Sequence, residues 1–189
     1  DDGEYHCAPV PMAVSGGRLW LAMEDRNPPV AWGVNFRAFV MSAPLEADLL
    51  QADSWTSSNR LRYDPAWGGT AWLEGNVVVA PDERLWNVLR NHYPQGGRAA
   101  FVEVSPDGRR VAFDPATGFV AFPGAAKKFT IRHDPVSELY WSLVNWVHPD
   151  DASLGEAHRI RNTLALTSSP DLFGWTVRAV ILRHPDIKH

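Results

Sequence analysis

Several features that mark large classes of protein are scarce or missing in this sequence. Its 189 residues include one cysteine, Cys7, which excludes an internal disulfide and fits a small apolar filler better than a nucleophile. No apolar run approaches the ~18 residues that a membrane-spanning helix needs. The net charge of −4 provides no basic face for nucleic acid or for an anionic membrane. We therefore expect neither a nucleic-acid partner nor a membrane partner.

The sequence is also poor in long windows of helical periodicity. It contains instead nine tryptophans, fifteen prolines and fourteen glycines. The turn-forming residues separate short runs of aromatic and β-branched residues, which is typical of strands joined by tight turns. The composition therefore predicts an all-β protein.

An internal repeat defines the architecture. Each unit begins with a short apolar strand and a tight turn, expected at residues 8–14, 76–80 and 128–133, and a leucine–aromatic pair then opens a second strand. The pairs are Leu19-Trp20, Leu85-Trp86 and Leu139-Tyr140. An arginine opens the third strand of each unit and a proline turn ends it. The arginines are Arg37, Arg98 and Arg161, and the prolines are Pro44, Pro106 and Pro170. Both series recur at intervals of roughly 60 residues.

Four short antiparallel strands that recur with such a period form a blade of a β-propeller. We predict one partial propeller domain with three blades, at about residues 4–62, 72–122 and 127–183. Further blades of a longer protein are expected after this segment, giving a ring of five or six, and completion by another copy of the chain is the alternative. A β-sandwich is the rival fold, but the fixed order of turns within each repeat favours the propeller.

The long loops of the repeat carry the polar and aromatic residues. In a propeller, the loops between the second and third strands and those leading into the next blade meet at one mouth of the channel. The first of them contains Pro28 and Pro29. Aromatic faces pack on the C–H faces of sugars, while charged and amide groups bond the hydroxyls, so the pattern predicts a carbohydrate-binding mouth. The candidate binding residues are His6, Arg26, Arg37, Trp72, Asn76, Arg90, Lys127, Lys128, Asn145, Arg161 and His184.

Three carboxylates are candidates for catalysis. Glycosidic cleavage needs one carboxylic acid to protonate the leaving oxygen and a second group to act as base or nucleophile. Glu74 is the first candidate, because it lies at the start of an inner strand beside Trp72, and burial against an indole suits an acid that must keep its proton. Glu24 and Asp25 are the candidates for the second group.

Each candidate also has a structural interpretation. Glu24 and Asp25 could pair with Arg26 or Arg37 to fix a long loop, and Glu74 could accept hydrogen bonds from loop amides. Arginines at equivalent places in three blades are typical of architecture, such as ion pairs between blades. The two adjacent lysines could form a solvated charge pair.

No motif in the sequence calls for a metal or a cofactor. The histidines lack metal-ligand spacing such as H-x-x-x-H, and neither a glycine-rich phosphate loop nor a G-x-S-x-G elbow occurs. We therefore expect a site without a cofactor.

The turns between the third and fourth strands resemble a known motif. Residues 169–176, SPDLFGWT, and residues 105–108, SPDG, resemble the Asp-box turn of sialidases, in which Ser, Asp, Gly and Trp cap the outer hairpin of a blade. Residues 72–76, WLEGN, and 127–132, KKFTIR, are similar to segments of bacterial proteins of the sialidase-like, or exo-α-sialidase, family. The resemblance covers essentially the whole chain and implies a periplasmic or secreted protein with further blades.

The same resemblance bears on the repeated arginines. Sialidases hold the carboxylate of sialic acid with three arginines, for which Arg37, Arg98 and Arg161 are the candidates by number. They also use a tyrosine–glutamate nucleophile pair and an aspartic acid. The resulting hypothesis is a sialidase-like glycoside hydrolase without a cofactor, acting on a glycan by carboxylate acid–base catalysis. The alternative is a non-catalytic propeller that binds a glycan or a protein at the same mouth.

Overall fold

The chain folds into short strands. The structure, a computed structural model, describes residues 3–27, 31 and 34–188; Pro28 and Pro29 of the first mouth loop lie outside the described residues. The strands are β1 (Tyr5–His6), β2 (Ala13–Ser15), β3 (Arg18–Asp25), β4 (Arg37–Pro44), β5 (Thr56–Ser57), β6 (Leu61–Arg62), β7 (Trp72–Val79), β8 (Leu85–Asn91), β9 (Arg98–Val104), β10 (Val111–Ala112), β11 (Phe119–Ala121), β12 (Phe129–Asp134), β13 (Leu139–Asn145), β14 (Thr163–Ser169) and β15 (Thr176–Arg183). Short 3-10 helices lie at Ala52–Ser54, Pro65–Trp67, Pro149–Asp151 and Ala157–Arg159. None of the helices in the described ranges is long and apolar enough to cross a membrane.

The strands form three antiparallel sheets in chain order. In the first sheet, β1 and β2 both pair with β3, and β5 and β6 both pair with β4, so the inner and the outer strand are each interrupted. The second sheet has the order β7, β8, β9, with β10 and β11 sharing its outer edge. The third sheet has the order β12, β13, β14, β15. Each sheet therefore has four strand positions, as expected of a blade.

The inner strand of the first sheet differs from the prediction. Residues 8–14 were expected to form one strand, but the strand is broken between His6 and Ala13. Pro9 and Pro11 lie in the gap and have no N–H to donate to the ladder, so this segment cannot pair continuously with β3. The third strand of the third sheet likewise begins at Thr163 rather than at Arg161.

The sheets stack through two aromatic cores. Between the first and second sheets lie Trp20, Trp72 and Val102, each almost fully buried. Between the second and third sheets, Phe101 and Tyr140 are buried, and the Tyr140 hydroxyl donates to the carbonyl of Val79 at 2.8 Å. The inner strand β7 packs against β3 on one side and β12 on the other. This succession of face-packed blades is a partial propeller, so the propeller prediction is confirmed over the sandwich.

Candidate functional site

A β-bulge positions Glu74 at the mouth end of the second blade. Leu73 is opposite Arg90 and Asn76 is opposite Val88, so Glu74 and Gly75 together face a single residue of β8. Glu74 has a φ of 59°, in the left-handed region that a glutamate rarely occupies. Bulges of this kind bend the strand and redirect a side chain, and strained backbone recurs at functional sites. The bulge therefore turns the Glu74 carboxylate away from the regular alternation of β7.

The Glu74 carboxylate lies between two cations. Its Oε2 accepts a hydrogen bond from Nη1 of Arg90 at 2.9 Å, and its Oε1 lies 3.4 Å from Nζ of Lys128. Glu74 is 6% exposed, whereas the Lys128 side chain is 57% exposed. Arg90 belongs to the second blade and Lys128 begins the third, so the carboxylate joins two blades at the edge of solvent.

Glu24 is the second carboxylate of the mouth and is completely buried. Its Oε2 lies 2.8 Å from Nδ1 of His6, its partner in the β1–β3 ladder, and its Oε1 accepts the backbone N–H of Gly75 at 3.0 Å. The hydrogen bond to Glu24 raises the pKa of His6 above its usual value, and the charges of Glu24 and Glu74 raise it further, against burial and Lys128. Glu24 therefore connects the first blade to the bulge that carries Glu74.

Five side chains from three blades thus form one group, which we call the mouth cluster. Its members are His6, Glu24, Glu74, Arg90 and Lys128. Glu24 bonds the backbone N–H of the residue that follows Glu74, and the exposed Lys128 lies beside Glu74. Such a group can exchange a proton with a bound molecule and bond its hydroxyl groups. All five residues belong to the predicted set.

Asp25 does not join the mouth cluster. Successive residues of a strand point to opposite faces, so Asp25 lies on the other side of β3 from Glu24. Its carboxylate pairs with Arg37 through two hydrogen bonds of 2.7 Å and with Arg60 at 3.1 Å, and the hydrogen bond to Asp25 raises the pKa of Arg37. This geometry matches the structural interpretation, in which Asp25 pairs with Arg37. Arg26 is nearby but pairs with Glu4 at 2.7 Å.

Trp72 lies in the core between the first two blades. It is fully buried, and its ring lies 5.3–5.4 Å, between centroids, from the rings of Tyr63, Trp67 and Phe113. The expectation that its indole surrounds the Glu74 carboxylate is wrong, because Arg90 and Lys128 take that place. Its face is covered by other rings and is not open to a sugar.

The repeated arginines have separate partners in each blade. Arg37 pairs with Asp25, and Arg98 donates from Nε to Oδ1 of Asn91 at 3.0 Å. In the third blade the equivalent Asn145 donates instead to the backbone carbonyl of Arg161 at 2.6 Å. The three arginines therefore do not converge as a clamp, and the Arg161 side chain is left exposed.

Lys127 is buried, unlike its neighbour Lys128. It is 1% exposed, and its Nζ donates to the carbonyls of Ala157 at 2.9 Å and Ile160 at 2.7 Å. Burial, with the charges of Arg161 and Arg90, lowers its pKa to about 7. Lys127 thus holds the loop of residues 146–162 at the mouth instead of facing solvent.

Two further predicted residues join strands or loops. Asn76 bridges the inner strands of the second and third blades, donating to the carbonyl of Phe129 and accepting from the N–H of Ile131, each at 3.3 Å. His184 lies just beyond the end of β15, where its Nδ1 accepts the N–H of Asp186 at 3.1 Å. Their contacts are those of residues that shape the fold.

A histidine pair, which was not among the predicted site residues, lies at the edge of the mouth. The rings of His92 and His158 are 4.6 Å apart at 84°, and Nδ1 of His92 lies 2.7 Å from the Thr70 hydroxyl. Burial lowers the pKa of both histidines, helped by nearby positive groups that include Arg90. His92 directly follows β8 and His158 lies in the loop after β13, and these mouth-side positions are the signal that could have placed them together. Within the described ranges, no group of three potential ligands is arranged to hold a metal.

No family model matches the sequence, and no curated protein matches it. Solved structures do match the fold. A β-fructofuranosidase from Schwanniomyces occidentalis superposes with a TM-score of 0.64 at 12% identity, over 95% of this chain and 34% of that one. An exo-β-1,3-galactanase from Clostridium thermocellum has a TM-score of 0.55 at 13% identity, over 94% and 35%. A family 117 glycoside hydrolase from Zobellia galactanivorans has a TM-score of 0.53 at 14% identity, over 92% and 46%.

These similarities bear on the fold. Identities of 11–14% are too low to transfer individual residues. The chain spans about a third to a half of the length of the structures named here. The structures that share its fold are propeller glycoside hydrolases.

Proposed function

We propose that this chain is part of a glycoside hydrolase whose substrate, a glycan, binds at the mouth cluster. The observation that carries the proposal is that Glu24 accepts the N–H of Gly75, the residue next to Glu74, and that both carboxylates raise the pKa of His6 at the mouth end of adjacent blades. Similar folds belong to enzymes that cleave fructosides and β-1,3-galactan. A pair of carboxylates is the chemistry that most glycoside hydrolases use.

The two carboxylates have different surroundings, which suits them to different roles. Glu74 lies at the edge of solvent beside the exposed Lys128, where it can reach a glycosidic oxygen, and we assign it the acid–base role. Glu24 is buried and assists through His6 and the Gly75 N–H. Asp25, the other candidate for assistance, is occupied by two arginines.

The cationic side chains provide binding groups. Sugar hydroxyls can accept N–H groups from Arg90, Lys128 and Arg161. The Arg161 guanidinium has the most freedom, because Asn145 bonds the backbone carbonyl of Arg161 and not its side chain. The buried Lys127 and Asn76 and the paired Arg37 shape this surface from behind.

The narrower assignment to the sialidase-like group is also a proposal. It is supported by the two turns that resemble Asp boxes. Asp171 accepts the backbone N–H groups of Phe173 and Gly174 at 2.8 and 2.7 Å, and Ser105 donates to Asp107 at 2.6 Å. The Trp175 indole donates to the Leu172 carbonyl at 2.6 Å, which closes the hairpin as the motif would.

We propose further that residues 4–62, 72–122 and 127–183 are successive blades of one domain and that blades of a longer protein complete the ring. The outward face of the third sheet supports this. Leu143 and Leu182 lie on the same face, two ladder positions apart, and are 52% and 61% exposed. Apolar side chains on an open blade face are those that an adjacent blade would cover.

Substitution of the mouth carboxylates tests the activity. In the complete protein, Glu74→Gln should lower kcat for glycan hydrolysis by about 100-fold or more, because the amide cannot transfer a proton. Glu24→Gln should lower it as well. Hydrolysis of a glycan panel measures both, and Glu46→Gln, at an exposed glutamate far from the cluster, is the matched control. Unchanged turnover in Glu74→Gln would reject the assignment.

A glycan-binding propeller without catalysis is the second candidate. It is favoured by the complete pairing of both carboxylates, since His6, the Gly75 N–H, Arg90 and Lys128 already occupy their oxygens. Binding without turnover by the complete protein, weakened in Glu74→Gln, would support this candidate over the hydrolase.

A further inference from the structure

The mouth cluster contains a histidine–carboxylate pair. His6 is directly opposite Glu24 in the β1–β3 ladder, and its Nδ1 lies 2.8 Å from Oε2 of Glu24. An ionised carboxylate can only accept a hydrogen bond, so the proton between these two atoms is on Nδ1. The other ring nitrogen, Nε2, is therefore the atom at which His6 gains or loses a proton.

Of this pair, only the histidine has exposed surface. The His6 side chain is 18% exposed, whereas the Glu24 side chain is completely buried. The second carboxylate oxygen of Glu24 accepts the N–H of Gly75 inside the protein. Glu24 can therefore act on a bound substrate through His6 but not by direct contact.

The groups around His6 favour its protonated form. The hydrogen bond to Glu24 raises the pKa of His6 most, and burial opposes it. The charges of Glu24 and Glu74 raise this pKa further, while that of Lys128 lowers it. The Phe36 ring, 6.1 Å from the His6 ring between centroids, is uncharged. A raised pKa increases the fraction of imidazolium near neutral pH, and an imidazolium can donate a proton.

The groups around Glu74 suit the opposite role. One carboxylate oxygen is 2.9 Å from Nη1 of Arg90, and the other is 3.4 Å from Nζ of Lys128. A general acid must carry a proton on one of these oxygens, where the proton would face a cation. An ionised carboxylate has about four acceptor sites on its two oxygens, so it can keep both cations and still accept a proton from water.

We propose that His6 is the general acid of the mouth, that Glu74 is the general base, and that Glu24 positions His6. Nε2 of His6 gives its proton to the glycosidic oxygen while the bond from this oxygen to the anomeric carbon breaks. Water attacks the anomeric carbon and loses a proton to Glu74, and solvent then carries this proton back to His6. The step is the single displacement of inverting enzymes. This assignment rests on the proposed function and divides the acid–base role between two residues.

Substrates with poor and good leaving groups test the proposal in the complete protein. The pairs are β-1,3-galactobiose with nitrophenyl β-galactoside, and sialyllactose with nitrophenyl sialoside. His6→Gln should lower kcat/KM about 100-fold or more for the oligosaccharide but less than about fivefold for its nitrophenyl partner, because nitrophenolate leaves without a proton. Glu74→Gln should lower both by about 100-fold or more. His133→Gln is the matched control, at an exposed histidine near the end of β12 that is remote from Lys128, and it should match the wild type.

The pH profile is the second measurement, and it decides if urea unfolding shows that His6→Gln does not fold. For the oligosaccharide, kcat/KM should fall as the pH rises through the pKa of His6 measured by NMR, and Glu24→Gln should move this fall to lower pH. Equal losses on both substrates in a folded His6→Gln, or a fall that stays in place in Glu24→Gln, would overturn His6 as the acid. A loss confined to the oligosaccharide in Glu74→Gln would assign the acid to Glu74 instead. No turnover of any substrate by the wild type would reject the proposed function, and this assignment with it.

Discussion

Gly75 is where the first two blades touch at the mouth. Its N–H donates to Glu24, and a methyl group in place of its hydrogen would collide with Oδ1 of Asn87 and lie 3.0 Å from the Cβ of Ala22. The backbone can approach the first blade this closely only because the residue has no side chain. The link between the two carboxylates therefore depends on a glycine.

Gly75→Ala should lower the free energy of unfolding by about 1 to 3 kcal/mol, because the new methyl group pushes the blades apart. Urea denaturation of the whole chain measures this. Gly155→Ala is the control, since nothing lies within 4 Å of its Cβ position, and it should change stability by less than about 0.5 kcal/mol. Equal stability of the two variants would contradict the close approach.

At the scale of residues, the sequence predicted the identity of the site residues more successfully than it predicted their contacts. Glu24 and Glu74 were identified because each lies at a strand end that faces the mouth. The role predicted for Trp72 was wrong. Residues two apart in a regular strand share a face, but the bulge at Glu74 breaks the alternation, so Trp72 lies in the core while the Glu74 carboxylate lies at the mouth. The left-handed bulge at Glu74 could not be foreseen, since its partners come from other blades.

At the scale of elements, the third blade departs from the pattern of the first two. Asp25 and Asn91 each bond the guanidinium at the start of the third strand, but Asn145 bonds only the carbonyl of Arg161. The loop before Arg161 is fixed instead by Lys127, whose Nζ donates to two of its carbonyls. A buried lysine thus replaces a side-chain pair.

Lys127 should make stability depend on pH. Its folded pKa of about 7 lies below its ordinary value of 10.5, so between these values the unfolded chain binds more protons than the folded chain. The free energy of unfolding should therefore rise with pH from about 7 to about 10, relative to Lys127→Met. The variant should also be about 1 to 3 kcal/mol less stable at pH 9, because two buried carbonyls lose their donor.

Urea titrations at several pH values measure this difference, with Lys188→Met as the control because that lysine is exposed. The control should follow the pH dependence of the wild type. A constant difference between the wild type and Lys127→Met across the range would contradict a neutral buried amine.

The strands themselves were largely predictable. The leucine–aromatic pairs begin second strands in all three blades because the aromatic side chain packs between sheets. Where prolines interrupt the pattern, as at Pro9 and Pro11, the missing N–H groups break the strand. Pairing between blades was not predictable, since the repeat fixes contacts within each unit and leaves the register of neighbours open.

At the scale of the whole molecule, the three blades place their mouth ends side by side. His6 begins the first blade, Glu74 the second and Lys128 the third, and all three influence one another. Residues more than a hundred positions apart in sequence therefore share one electrostatic environment. The stacking of sheets around a common axis accounts for this convergence.

Titration of His6 by NMR tests the convergence most directly. Glu74 of the second blade raises the pKa of His6 and Lys128 of the third blade lowers it, so Glu74→Gln should lower this pKa and Lys128→Met should raise it. Glu24→Gln should give the largest decrease, because it removes the negative charge of the group that is hydrogen-bonded to His6. If the pKa of His6 were the same in wild type, Glu74→Gln and Lys128→Met, the three blades would not meet at one mouth.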